Sequence, residues 1–149
     1  MKVYLASDHA GFELKNKVKD YLTSQNYEVE DMGDFVPNPT DDYPDFISKA
    51  AKKVSEDSTS KAIVFGKSGT GEEITANKFG NVRAAVGFSG ENVKLAREHN
   101  DANVLSLGSQ FVTDEEAIEL VKIFLETSFS NEERHKRRIE KISKIEKSV

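Results

Sequence analysis

The sequence predicts an α/β fold: a single doubly wound, parallel five-stranded sheet in a Rossmann-like α/β/α sandwich, with an extra C-terminal helix. Three observations predict it. Apolar runs rich in β-branched residues at 3–6, 62–65, 82–88 and 104–107, with a weaker one at 27–32, alternate with helical patterns. That alternation reads as parallel βαβ units with right-handed crossovers. The runs are continuously apolar, as expected for strands covered by helices on both faces, and the breaks after them are glycine-rich or polar.

The helical patterns are specific. Leu14, Val18, Tyr21 and Leu22 follow the i, i+4, i+7, i+8 spacing of one helix face, and Phe46, Ile47, Ala50, Ala51 and Val54 line another. Thr113 through Glu116 reads as a capping box opening a helix with an apolar stripe of Ala117, Ile118, Val121, Phe124 and Leu125. Ser130 and Glu133 read as a second box, starting the helix that carries Arg134, His135, Arg137 and Arg138. No repeat, linker or low-complexity tract divides the chain, so residues 1–149 are expected to form one domain.

A chain of 149 residues can bury a core without covalent staples. It has no cysteine, which excludes disulfides, thiolate metal sites and a cysteine nucleophile. No apolar run approaches the roughly 18 to 20 residues of a membrane span, and MKVYLASDH reads as a first strand rather than a signal peptide. A cytoplasmic enzyme or binding protein is expected. The net charge of -5 argues against broad nucleic-acid binding. Residues 132–149 nevertheless hold seven Lys/Arg against four Asp/Glu, so a basic tail of +3 follows a body of -8. That tail is either a solvated helix or the holder of a small anion.

Ligands of doubly wound folds bind at the carboxyl ends of the strands, which directs attention to residues 7–11, 66–73, 88–90 and 108–110. The loop Gly66-Lys67-Ser68-Gly69-Thr70-Gly71-Glu72-Glu73 joins the third strand to a helix through Ile74 and Asn77. Its successive amides make a cradle for a phosphate or for an oxyanion formed during reaction. It is neither a nucleotide P-loop, which needs glycine where Lys61 stands, nor a dinucleotide fingerprint, which needs glycine where Ile74 stands. The bland alternative is a tight turn without a ligand. Glu72, in the first helical turn, is placed to act as a general base, while Glu73 suits the helix dipole.

The three histidines differ in setting. Asp8-His9 ends the first strand, where the fold puts a site. His99 ends the helix before the fifth strand, near the opposite edge of the sheet from Asp8 and Ser68. For all three to serve one site, His99 has to come from a second subunit, which predicts a homo-oligomer with composite sites. Arg134 and Arg138, spaced i, i+4, share a helix face suited to a dianionic phosphate; a salt-bridged surface helix is the alternative. There is no metal-ligand spacing such as His-x-x-x-His, and no cofactor is expected.

Taken in order, Ser7-Asp8-His9-Ala10-Gly11, Glu13-Leu14-Lys15, Asp42-Tyr43-Pro44, Ser68-Gly69-Thr70-Gly71-Glu72, Ala76-Asn77-Lys78, Arg97-Glu98-His99-Asn100 and Arg134-His135 followed by Arg137-Arg138 resemble the ribose-5-phosphate isomerase B family, which includes galactose-6-phosphate isomerase. The resemblance spans essentially the whole chain. It is to the branch with a glutamate base, so the base role falls to Glu72; in the other branch a cysteine near position 66 is the base. It also implies that His99 donates a proton in opening the sugar ring, with Asp8 assisting. Ser68, Gly69, Thr70 and Gly71 would form the hole for a cis-enediolate, and Lys67 is a basic residue able to make up for the departure at position 110. Asn100 would contact sugar hydroxyls or the oxyanion, and His9, Arg134 and Arg138 would hold the phosphate.

One departure is Gln110, where the family's pattern carries arginine; losing a charged phosphate ligand costs on the order of 1.5 to 3 kcal/mol of binding. The activity implied is interconversion of ribose 5-phosphate and ribulose 5-phosphate, by a homodimer or a dimer of dimers. Another sugar phosphate (galactose 6-phosphate, allose 6-phosphate or a four-carbon ketose phosphate) is the alternative substrate, and a non-catalytic sensor on the same fold is the rival class.

Overall fold

The computed structural model describes all residues, 1–149. Strand β1 (Lys2–Ser7) leads to α1 (Phe12–Ser24), β2 (Glu28–Asp31), α2 (Pro44–Glu56) and β3 (Lys61–Gly66). There follow α3 (Thr70–Ala76), β4 (Ala84–Val86), α4 (Gly90–Asn100), β5 (Val104–Gly108), α5 (Asp114–Glu126) and α6 (Glu133–Lys147). All neighbouring strands pair in parallel, in the order β2-β1-β3-β5-β4. The expected doubly wound sheet with an added C-terminal helix is present. From β1 the chain steps outward to β2 and then crosses back to β3. The carboxyl ends of β1 and β3 therefore flank the switch point, where such folds bind ligands.

The period-two pleat sorts side chains between two layers. Val3, Leu5, Ile63, Phe65, Leu105 and Leu107 face the layer of α1, α4 and α5, against Leu14, Val18, Val93, Val121 and Phe124. Tyr4, Ala6, Ala62, Val64 and Val104 face α2 and α3, against Ile47, Ala50, Ala51, Val54 and Ala76. The small alanines on that second face let α2 lie close to the sheet. No helix is long and apolar enough to cross a membrane.

Three local expectations change. The run at 82–88 yields only a three-residue strand, because side chains take the backbone donors around it. Asn103 Oδ1 accepts from Arg83 N at 2.7 Å, Asn77 Oδ1 from Ala84 N at 2.8 Å, and Asn92 Oδ1 from Phe88 N at 2.9 Å. Glu73 Oε1 accepts from Val86 N at 3.1 Å, so Glu73 seals the outer edge of β4 and does not simply face the helix dipole. The box expected at Ser130 and Glu133 does not form either. The cap residue of α6 is Glu132, and the Ser130 hydroxyl instead accepts from Glu132 N and shares a 2.7 Å hydrogen bond with His135 Nδ1. A complete box occurs at Ser89 and Asn92 of α4, where the sequence reading placed none.

Lys15 is the least expected core residue. Its neighbour Leu14 is buried as the helical stripe predicts, but the Lys15 side chain is 0% exposed as well. Its ammonium donates to Asp31 Oδ1 at 2.8 Å, to Asp31 Oδ2 at 2.9 Å and to the Asp34 carbonyl at 2.7 Å, clamping the chain after β2 onto α1. A buried charge stripped of its partner is costly. Asp31→Ala is expected to cost about 3–5 kcal/mol of stability, and the paired change Lys15→Met with Asp31→Leu to recover much of that loss. Urea unfolding of the three proteins measures both.

Candidate functional site

The switch point gathers the first group of expected site residues. Asp8 follows β1 directly; it is buried, and its Oδ1 accepts from Gly11 N at 3.1 Å. Across the switch, β3 ends at Gly66 and the chain turns through Lys67, Ser68 and Gly69 into α3. Gly69 sits at φ +83°, in the left-handed region that disfavours any side chain. Its carbonyl accepts from the buried Ser106 Oγ at 2.7 Å, and Ser109 N and Gln110 N donate to the Gly66 and Lys67 carbonyls at 2.8 and 3.0 Å. The loop is thus held by β5 and the turn after it. Thr70 opens α3, and its N–H donates to Ser68 Oγ at 3.2 Å.

Glu72 is turned back under this loop. It is only 3% exposed, and its Oε2 is buried without a hydrogen-bond partner. The carboxyl occupies the space that a side chain on residue 66 would need: a Cβ built on Gly66 collides with Glu72 Oε1. A side chain at 66 and an inward Glu72 are therefore mutually exclusive. Burial pushes the Glu72 carboxyl above its ordinary value; backbone amides of Glu72 and Gly69 oppose the rise, and the charge of Asp8 adds to it. An unpaired carboxylate held dry and less acidic than usual has the properties of a general base.

His9 points its Nδ1 at Asp41 Oδ1, 2.6 Å away, and its backbone N–H donates to the same oxygen at 3.2 Å. The hydrogen bond to Asp41 holds the imidazole above its usual pKa, with slight burial opposing. Asp8, His9 and Asp41 offer ligand atoms within 4.8 Å of one another, a grouping that a sequence without metal-ligand spacing does not announce. Tyr43 lies over the loop: a Cβ on Gly71 would meet its hydroxyl at 2.5 Å. Beside His9 opens a hollow of about 420 Å³, lined by Phe12, Glu13, Pro37, Ser109 and Asp114 among others. Gln110 and Lys67 are exposed, and Gln110 follows Ser109 of the hollow's lining.

The second group lies at the opposite edge. α4 starts after the carboxyl end of β4 and ends before the amino end of β5, so His99 and Asn100 stand at the amino edge. Arg83, just before β4, donates from Nε to the Asn100 carbonyl at 2.9 Å. The segment before α6 docks there through Ser130 N to the Glu98 carbonyl at 3.0 Å. His135 packs its ring 4.2 Å from that of His99, and its burial, together with His99, pushes the His135 pKa down. Arg134 and Arg138 are exposed on the same helix, Arg134 held by Glu132 Oε2 at 3.1 Å. One chain thus brings Asp8, His9, Ser68, Gly69, Thr70, Gly71 and Glu72 together, and separately gathers His99, Asn100, Arg134 and Arg138.

Comparison with known proteins agrees with this architecture. The family model described as Ribose/Galactose Isomerase matches residues 3–142. The chain belongs to the ribose/galactose isomerase family. It is 42% identical over 148 residues to ribose-5-phosphate isomerase B of Mycolicibacterium paratuberculosis, covering 99% of this chain and 93% of that one. Among solved structures it superposes with TM-score 0.96 and 40% identity on ribose-5-phosphate isomerase B of Mycoplasma genitalium with bound ribulose-5-phosphate, over 99% of this chain and 97% of that one. The Clostridium thermocellum ribose-5-phosphate isomerase B gives TM-score 0.95 at 40% identity, with 99% of both chains covered.

Asp41, Asp34 and His135 escaped the sequence reading as site residues. The motif Asp42-Tyr43-Pro44 was the signal nearest Asp41, which lies beside it, 32 residues from the histidine it binds, and His135 stood within the motif Arg134-His135 without a role.

A buried carboxyl with a raised pKa binds its proton more tightly in the folded than in the unfolded chain. Stability from Glu72 is therefore highest below the unfolded value and falls as pH rises through the folded one. Glu72→Gln is expected to unfold at a higher temperature than wild type at pH 8, with the difference vanishing near pH 4. Thermal melts across that range measure it.

Proposed function

We propose that this protein is an aldose-ketose isomerase that interconverts ribose 5-phosphate and ribulose 5-phosphate, as one sugar-phosphate isomerase domain acting in the cytoplasm without a cofactor. The observation that carries the reading is the inward Glu72: a dry, unpaired carboxylate oxygen under an amide-lined loop, beside Asp8. A sensor would need only the anion-binding groups, and the free carboxylate would merely repel its ligand.

The working site is composite. Asp8 and Glu72 of one subunit face His99, Asn100, Arg134 and Arg138 of another, in a homodimer or a dimer of dimers. Asp8 and the His99 of the second subunit open the furanose ring. Glu72 takes the proton from C2 of the aldose and returns it to C1 through a cis-enediolate. Amides at 68–71 stabilise the developing oxyanion, a contribution that reaches a few kcal/mol per donor. His9, Arg134 and Arg138 hold the phosphate dianion through charge-assisted hydrogen bonds. Supporting a second subunit, α6 leaves Ile142 49% and Ile145 66% exposed, beside a cavity of about 790 Å³ that Asn100 also lines. Gln110, exposed, makes no hydrogen bond through its side chain and leaves the phosphate to His9 and the arginine pair.

In D2O, proton NMR is expected to show ribose 5-phosphate converting to ribulose 5-phosphate with deuterium entering the transferred position. Glu72→Gln should bind the substrate but lose about 10²- to 10⁴-fold in turnover. Turnover equal to wild type would remove Glu72 from the mechanism, and turnover only of a four- or six-carbon sugar phosphate would change the substrate.

A mixture of Glu72→Gln and His99→Asn proteins, each inactive alone, should regain roughly a quarter of wild-type activity after subunit exchange. That fraction follows because half of randomly paired dimers are mixed and each mixed dimer has one intact composite site. No recovery would place both residues in one chain's site.

A further inference from the structure

Behind His9 lies a buried acidic pair that the proposed isomerisation does not use. Asp34 follows β2 and is 4% exposed; its N–H donates to the Ser7 carbonyl at 2.9 Å, and its own carbonyl accepts from Lys15 Nζ at 2.7 Å. Its Oδ1 accepts from Val36 N at 3.2 Å, and its Oδ2 is buried without a partner. Asp41 commits Oδ1 to the ring and the backbone of His9, and its Oδ2 is likewise buried and unpartnered. Each carboxyl acts on the other: Asp41 pushes Asp34 up, and Asp34 draws Asp41 down. Two neighbouring bare carboxylates repel, whereas one proton between them makes a strong hydrogen bond.

We propose that Asp41 is a positioning residue for His9: it binds the Nδ1–H and the backbone N–H, leaving Nε2–H of an imidazolium to donate to the substrate phosphate, while Asp34 carries the proton that the acidic pair shares. The proposal rests on His9 being a phosphate ligand.

The charges around the pair agree. Burial pushes the Asp34 carboxyl up, and Asp41 adds to the rise; Lys15 and the Val36 amide oppose it. Burial also pushes Asp41 up, but hydrogen bonds from Asp34, from the His9 ring and backbone and from the Asn38 amide outweigh it and bring Asp41 down to about 2. Asp41 is therefore the ionised member. His9 is raised first by its hydrogen bond to Asp41, then by the charges of Asp41 and Asp8, with slight burial opposing. The imidazolium is present below this raised pKa and lost as pH rises through it. Without Asp41 it is lost at lower pH. Lys15 and Asp31 fix the backbone of Asp34 from behind, so the arrangement is anchored in α1.

The test is made on the full-length protein with Asp41→Asn, Asp34→Asn and His9→Asn. In a nitrogen-15 NMR titration, Asp41→Asn should move the His9 transition to lower pH. Asp34→Asn should leave it in place, because the amide donates to Asp41 as the carboxyl proton did. For ribose 5-phosphate at pH 8, Asp41→Asn should raise KM about 10- to 100-fold, the worth of a charge-assisted hydrogen bond, with kcat nearly unchanged. In the His9→Asn background it should add no further loss. An unmoved His9 transition, or an equal loss in the His9→Asn background, would overturn the positioning role. An Asp34→Asn titration displaced as far as that of Asp41→Asn would overturn the shared proton. An unchanged KM in His9→Asn would overturn the phosphate assignment itself, independently of the NMR result.

Discussion

One packing constraint organises the switch point: the Glu72 carboxyl lies on the backbone of residue 66, in the space that a Cβ there would need. A base that moves a carbon-bound proton has to be ionised yet poorly solvated, and burying a carboxylate without a partner is unfavourable. The chain meets that cost through rigidity. The left-handed turn at Gly69 starts α3 beneath the loop, and Ser106 and the backbone after β5 hold the loop down by hydrogen bonds. The same geometry supports the proposed base role of Glu72 in a cysteine-free chain: a side chain at position 66 and the inward Glu72 carboxyl would compete for one space.

The sheet separates the two halves of the proposed chemistry. Asp8, His9 and Glu72 sit at the carboxyl edge, whereas His99 and the arginine helix sit at the amino edge, joined to each other by the His99–His135 stack and the Ser130–Glu98 hydrogen bond. Within a chain neither half completes the other. In the proposed dimer a two-fold pairing would resolve this, because one interface would create two complete sites.

The fold was legible from pattern alone because its central strands β1, β3 and β5 are buried on both faces and read as nearly unbroken apolar runs. The glycine loop was legible because its residue types leave few other uses at a strand-to-helix turn. What escaped was made of contacts remote in sequence. Asp41 meets His9 across 32 residues, and Lys15, quoted only as part of a motif, finds its partner Asp31 across 16 residues once α1 folds onto the end of β2. The cap at Ser130 was misread for a similar reason: a serine three residues before a glutamate has the box spacing, but His135 and Glu132 compete for the hydroxyl and win.

By itself the sequence determined the order of strands and helices along the chain, the turn that carries Glu72, the absence of any thiol chemistry and the placement of His99 at the opposite edge of the sheet from Asp8. These follow from local propensity, spacing and composition, which act between near neighbours along the chain. Tertiary structure alone decided which way the Glu72 carboxyl turns, that Glu73 seals β4, that Asp41 rather than solvent binds His9, and that Lys15 is a core residue. Each is a choice of partner for a buried polar group. Such a group has to pair with whatever donor or acceptor the packed layers bring to it, and linear spacing carries no record of that.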